Sequence, residues 1–377
     1  MTFKLIDLFC GCGGLSLGAH LAGFSTAFAA DIDGNLRSAY RRNFGAGVAG
    51  QLDIAAARTV TLARKINGSE VVGVIGGPPC QGFSVMGRNA EDDPRNTLVA
   101  KFLELAVALR PAFFVMENVP GLMAERHLAT REAALEAITS PYEFIGPIKL
   151  NAAEFGAATN RERVVVIGFD PNRMDPITEA DLTSAKTDGP RTTVRDAIGD
   201  LPSPGEQIQA GGFGWTKMGD EAASAYARRM RTATPPEHLP KYARDMFERG
   251  FVTGFAPTRH TPDTAERFAA TAPGKQETIS RYHRLDWNKV APTLRAGTGS
   301  DRGSYQAARP IHPEEPRVIT VREAARLQGF PDWFLFHPTK WHSHRMIGNS
   351  VSPIFAEAIF KVIRAKLEGR STLSSAA

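Results

Sequence analysis

Only three cysteines occur in the 377 residues, an odd number without the spacing of a disulfide framework. That excludes a small cross-linked secreted scaffold and suits a reducing compartment, so a cytoplasmic location is expected. Cys10 and Cys12 have no second Cys/His pair to complete four ligands, and no metal site is expected. No apolar run approaches the ~20 residues of a membrane span, and MTFKLIDLF lacks the charged and apolar regions of a secretory leader. Neither membrane association nor export is expected. Internal repeats are missing, as is any low-complexity tract beyond a short Ser/Ala tail. The glycine turn at Gly11, Gly13 and Gly14 lacks G-x-G-x-x-G spacing, and no P-loop lysine follows it. Both absences weigh against hydride and phosphoryl transfer. Charge is not one-sided either: a net +5 and a pI near 9.1 lean toward an anionic partner without requiring one.

What is present is an ordinary globular composition in a chain long enough for one large domain and a smaller one. The stretch VVGVIGGPPCQGFS, residues 71–84, reads as a buried strand that stops at a rigid loop. Two glycines permit close approach, Pro78-Pro79 fix φ, and Cys80 stands at the tip. Open α/β sheets place their chemistry at such carboxyl ends of strands. Around it run repeated strand–helix units. Phe3 to Phe9 enters the glycine turn, and Ser25 to Ala30 ends in Asp31-Ile32-Asp33. Leu52-Asp53-Ile54 suggests a short third strand, and Ala112 to Leu122 a buried strand ending in Glu117-Asn118. Arg161 and Arg163 stand at the mouth of the apolar run Val164 to Phe169. An acid ending the second strand is where ribose hydroxyls are held in nucleotide-binding folds; a helix cap is the alternative, which Asp33 fits better than Asp31. The other residues have plain alternatives too: an inert buried cysteine, a tight turn, a solvated charge.

In order, DLFCGCGG, AADID, LDI, GGPPCQGFS, DPRNTL, FVMENVPG, FGAATNRER, VRDAIGDLP, RVITVREAARLQGFPD and IGNSVSP resemble the motif series of the DNA (cytosine-5) methyltransferases. The resemblance covers residues 3 to about 205 and about 290 to 365. It implies an α/β fold: a Rossmann-like S-adenosylmethionine-dependent methyltransferase domain with an inserted, smaller target-recognition domain. The expected division is 1–204 for the catalytic domain, 205–335 for the recognition domain and hinge, and 336–377 for the return. Cys80 would be the nucleophile, adding to carbon 6 of cytosine so that carbon 5 can attack a sulfonium methyl. Glu117, a buried acid able to keep its proton, would serve ring nitrogen 3, and Arg163 with Arg161 would hold the base's carbonyl oxygen. The implied donor is S-adenosylmethionine. Phe9, Gly11 and Gly13 would line its pocket, together with Ile54 and Pro79. Asp31 would take the ribose, Ile32 and Asp53 the adenine, and Leu98, Asn349 and Ser350 the rim. Two departures stand out: Ala158-Thr159 replaces the family's usual Pro-Gln, and Ile32 replaces a common larger aromatic.

A paired cytosine is shut inside the stack, so it must be rotated out at roughly a few kcal/mol. The expected partner is therefore double-stranded DNA, gripped by the inserted lobe. Residues 226–259 hold seven Lys/Arg (Arg228, Arg229, Arg231, Lys241, Arg244, Arg249, Arg259) against three acids, and residues 281–309 hold six against two, interleaved with Tyr282, His283, Trp287 and Tyr305. Such clusters suit phosphate contact. A monomer is expected, and the resemblance leaves open a cognate restriction endonuclease. The rival readings are an RNA (tRNA) cytosine-5 methyltransferase of the same fold, a non-catalytic DNA-binding protein, and a nicotinamide oxidoreductase.

Overall fold

Apolar runs broken by glycine turns fold into seven strands of one sheet. The computed structural model describes residues 3–66, 68–79, 97–222, 224–297 and 309–374. The strands are β1 (Phe3–Leu8), β2 (Phe24–Asp31), β3 (Ala49–Gln51), β4 (Gly73–Gly76), β5 (Phe113–Asn118), β6 (Glu143–Asn151) and β7 (Glu162–Phe169). Their spatial order is β3-β2-β1-β4-β5-β7-β6. The first five are parallel, and β7 runs antiparallel to both neighbours. This is a Rossmann-like α/β sheet, and the chain order reverses between β1 and β4, where such sheets open a crevice.

The helices are α1 (Gly14–Leu21), α2 (Gly34–Phe44), α3 (Thr59–Ile66), α4 (Thr97–Ala108), α5 (Leu128–Leu135), α6 (Glu179–Ser184) and α7 (Val194–Ile198). They continue as α8 (Ala225–Thr232), α9 (Lys241–Glu248), α10 (Pro262–Ala270), α11 (Val321–Gln328), α12 (Lys340–Asn349) and α13 (Pro353–Ser374). Because strand side chains alternate, successive residues serve opposite layers. Leu5, Phe113, Val115, Val165 and Ile167 pack with Ala19 of α1 and Phe360 and Ile363 of α13. Ile6, Leu8, Phe114, Met116, Val164 and Val166 face the other way, onto Phe102 and Leu103 of α4. Both faces are covered, which is why these strands read as unbroken apolar runs.

A second, antiparallel sheet of β8 (Ile208–Ala210), β9 (Phe213–Lys217) and β10 (Phe251–Thr253) lies in the later half of the chain. A third apolar cluster joins it to the first half: Phe213, Trp215, Leu285 and Phe334 pack in one group with Cys12, Tyr40 and Phe44.

One expectation shifts. The third strand is Ala49–Gln51, not Leu52-Asp53-Ile54, because the backbone beside β2 pairs there. Asp53 Oδ1 then accepts from Ala55 N at 3.0 Å, a turn that ends the extended segment. Gly348 and Asn349 finish α12, and α13 opens at Pro353, a position that needs no N–H donor. An 18-residue window within Lys340–Gly369 has a mean hydropathy of 1.3, and 78% of that window is buried within the protein. Its apolar side is consumed by the core against α1.

Phe360 is fully buried, with its ring 5.7 Å from Phe24 and 6.5 Å from Phe113. Phe360→Ala should lower unfolding stability by about 3–5 kcal/mol, read as a fall in the urea midpoint with unchanged slope. A shift under about 1 kcal/mol would mean that α13 is not part of the cooperative core.

Candidate active site

Strand register brings the chemistry together. Leu8 of β1 lies level with Ala30 of β2 and with Gly76 of β4, and Gly76 with Met116 of β5. The residues that follow, Phe9, Asp31, Gly77 and Glu117, therefore share one edge of the sheet. Since β7 enters antiparallel, its start meets the end of β5: Asn118 pairs with Val164, and Arg163 stands just beyond.

Glu117 and Arg163 form a largely buried ion pair, with Arg163 Nε 2.6 Å from Glu117 Oε1. Arg163 Nη1 also donates to the carbonyl of Glu162 at 2.6 Å. The other carboxylate oxygen faces the cysteine loop: a Cβ added to Gly77 would sit 2.9 Å from Glu117 Oε2. Glycine there lets the loop backbone pass directly over the carboxylate. Asn118 Nδ2 reaches the carbonyl of Pro78 at 3.4 Å, a second tie between β5 and the loop. Pro79 is half-buried at the loop's entry, and Cys80 lies outside the described residues.

At the β1–β2 end, Phe9 and Gly11 take left-handed backbone conformations, φ 65° and 57°. The half-buried Asp31 carboxylate accepts from Gly11 N at 3.0 Å and from Asp33 N at 2.8 Å. Burial raises its pKa above the usual carboxylate value, partly offset by these bonds. Asp33, as expected, caps α2 through Asn35 N and Leu36 N. Ile32 is 65% exposed beside Asp31. Ile54 is buried, Asp53 exposed, and Leu98 half-buried in the first turn of α4. On the far side α12 closes onto the glycine turn. Ser350 Oγ would lie 2.0 Å from a Cβ at Gly14, so only glycine fits there, while Asn349 is exposed.

The profile of the C-5 cytosine-specific DNA methylases matches residues 3–365. Type II methyltransferase M.XorII of Xanthomonas oryzae pv. oryzae is 40% identical over 376 residues, covering 98% of this chain and 87% of that protein. Type II methyltransferase M1.HphI of Haemophilus parahaemolyticus is 33% identical over 371 residues, covering 96% and 87%. The chain belongs to the C-5 cytosine-specific DNA methylase family. It is a DNA cytosine-5 methyltransferase. Among solved structures, a DNA modification methyltransferase encoded within a prophage (E. coli) superposes with a TM-score of 0.84 at 37% identity, covering 97% of this chain and all of that one. The S. pombe Dnmt2 methyltransferase, at 16% identity and a TM-score of 0.61 over 98% and 99% of the two chains, shares the fold.

Not every expected site residue of the methylase converges. Arg161 turns away from Glu117 and donates to the carbonyls of Leu294 and Gly348, fully buried. Several residues of the basic clusters are also committed elsewhere. Arg231 pairs with Asp200, Arg229 with Glu357 and Lys241 with Asp245. Arg284 is buried among five backbone carbonyls. Arg228 and Arg259 remain exposed.

Sequence reasoning passed over Asp7, although a charge inside the apolar FKLIDL strand was a readable signal. The methylase buries it beneath the glycine turn, with Ser16 Oγ 2.5 Å from Oδ2 and Tyr40 donating to Ser16 at 2.8 Å. Asp7 Oδ1 has no hydrogen-bond partner among the described residues. Burial, first, and then Asp31 push the carboxyl from 3.8 up to about 8, against the Ser16 bond. Between those values the folded protein holds a proton that the unfolded chain has released. The stabilising contribution is therefore fullest below pH 3.8 and is lost as pH rises through about 8. From about pH 5 to 8 wild type should lose about 1 kcal/mol of stability per pH unit relative to Asp7→Asn. Urea unfolding at each pH checks it, and two parallel curves would rule it out.

Proposed function

We propose that this methylase takes its methyl group from S-adenosylmethionine and delivers it to carbon 5 of a cytosine flipped out of double-stranded DNA, through a covalent bond to Cys80. The observation that carries the reading is the buried Glu117–Arg163 pair beside the Gly77–Pro79 loop entry. One carboxylate oxygen is held by the guanidinium, and the other faces the loop that continues into Cys80.

The pocket chemistry fits the donor. A glycine turn with left-handed Phe9 and Gly11 exposes backbone to a ligand, Asp31 offers a half-buried carboxylate for ribose hydroxyls, and exposed Ile32 offers an apolar face for adenine. Asp53, Ile54, Pro79, Leu98, Asn349 and Ser350 would complete the wall, with Gly13 beneath. When bound, the donor supplies an electrophilic sulfonium methyl.

This chain's residues do the rest. The Cys80 thiolate adds to carbon 6, and its electron pair moves the ring's density toward nitrogen 3 and carbon 5. Glu117 shares a proton at nitrogen 3, while Arg163 steadies the carbonyl oxygen as charge gathers there. Carbon 5 would take the methyl as the sulfonium S–CH3 bond breaks, leaving the donor a neutral thioether. Loss of the carbon-5 proton to a base, with the nitrogen-3 proton returning to Glu117, then restores the double bond and expels the thiolate. A dry, enclosed pocket is needed for this, so the base must leave the stack. Residues 205–335, with the small sheet and exposed Arg228 and Arg259, would grip the duplex. Residues 336–377 would close the catalytic domain. The Type II naming of the relatives supports a restriction-modification context with a cognate restriction endonuclease as counterpart; a cytoplasmic, monomeric enzyme is the form we propose.

Cys80→Ala should reduce tritiated methyl incorporation into DNA below detection while DNA affinity stays within about threefold of wild type. Turnover in that variant, or preferred labelling of transfer RNA by the wild type, would overturn the reading. Arg163→Ala should lower kcat by about a hundredfold or more with donor affinity little changed. A selective loss of donor binding would place Arg163 at the wrong ligand.

A further inference from the structure

Arg161 is a charge placed where charge is costly. Its guanidinium is buried at 1% exposure, and no ion pair joins it to a carboxylate among the described residues. Burial, then the neighbouring Arg163, push its pKa well below the usual arginine value, with Glu117 pulling it back. What it touches is backbone. Nη2 donates to Gly348 O at 2.8 Å and Nη1 to Leu294 O at 3.1 Å, while Nε has no partner among the described residues. A planar fork can reach two carbonyls on different segments at once, which a lysine ammonium cannot do with the same geometry.

The two carbonyls belong to separate parts of the chain that meet here. Gly348 packs so tightly on the other segment that a Cβ would lie 2.5 Å from both Ala296 N and the Arg295 carbonyl carbon. The segment from 291 is also laced to the entrance of β7. Asn160 N donates to Ala291 O at 2.8 Å, Ala291 N to Ala158 O at 3.0 Å, and Thr159 Oγ1 to Pro292 O at 3.2 Å. Thr293 Oγ1 returns a bond to Asn160 O. The hydroxyl of Thr159, at the position where the family usually has glutamine, thus serves this junction. Two residues after Arg161, at the start of β7, Arg163 stands on Glu117.

We propose that Arg161 is a positioning residue and not a base contact: its fork fastens the Gly348-Asn349-Ser350 rim and the 291–297 segment to the strand that carries Arg163. It keeps the donor wall and the base-holding pair in register. The inference rests on the reading that Asn349 and Ser350 border the donor and Arg163 the base.

Arg161→Lys retains the charge and loses the fork. The KM for S-adenosylmethionine should rise about tenfold while kcat changes less than about threefold, because a charged hydrogen bond to the rim is lost and no base contact is. Amide hydrogen exchange without ligands should quicken about tenfold across 346–350 and 291–297, with β1 and β5 unchanged. A hundredfold fall in kcat with donor KM and exchange unaltered would overturn the proposal and return Arg161 to the base. Should Arg161→Lys not fold, Thr159→Val, of nearly the same volume, keeps the question open to measurement: faster exchange confined to 291–297 supports the junction, and unchanged exchange there overturns it. Failure of wild type to form a stable adduct with 5-fluorocytosine DNA would instead refute the underlying reading, whatever Arg161 does.

Discussion

A carboxylate and a guanidinium withdrawn together from water at the meeting of β5 and β7 set the terms for the rest of this structure. Alone, either would be costly to bury; removing one partner of such a pair typically costs about 3–5 kcal/mol. At 2.6 Å apart they satisfy each other, and that contact requires β7 to lie against β5 in the opposite direction. Only then does the start of one strand reach the end of the other. The loop that leads to Cys80 is held in the same place, because glycine at 77 leaves no side chain between backbone and carboxylate.

Guanidinium groups also organise the irregular half of the chain. Arg284 donates to the carbonyls of Phe268, Ala269, Thr271, Pro313 and Glu314, collecting the end of α10 and a distant turn. Arg322 gathers the carbonyls of Thr253, Pro331 and Phe334, and Arg326 holds both oxygens of Asp332 while reaching Asp200. Loops with few long apolar periods leave many carbonyls without ladder partners, and buried forks answer that need. Basic residues here therefore serve two ends. Some are mortar between segments, and others, such as Arg228 and Arg259, stay exposed. Composition alone gives both kinds the same count.

Much of the catalytic half was legible in advance. The strand that ends at Gly76, the strand that ends at Asn118 and the cap at Asp33 all lie where apolar periods and turn chemistry place them. The third strand was less so. Leu-Asp-Ile alternates like a strand, yet pairing with β2 selects Ala49–Gln51 and leaves Asp53 to turn the chain. Arg161 was legible as important and illegible as to its task, since its partners lie at 294 and 348.

By itself the sequence determined the alternation of strands and helices, the order of the loops, and which loop carries glycine, proline and cysteine together. These are local properties, written into backbone sterics and side-chain periods of 2 and 3.6. The tertiary structure alone decided which polar groups meet. Whether a guanidinium faces a carboxylate, a carbonyl or water depends on the segments that cover it, and those arrive from elsewhere in the chain.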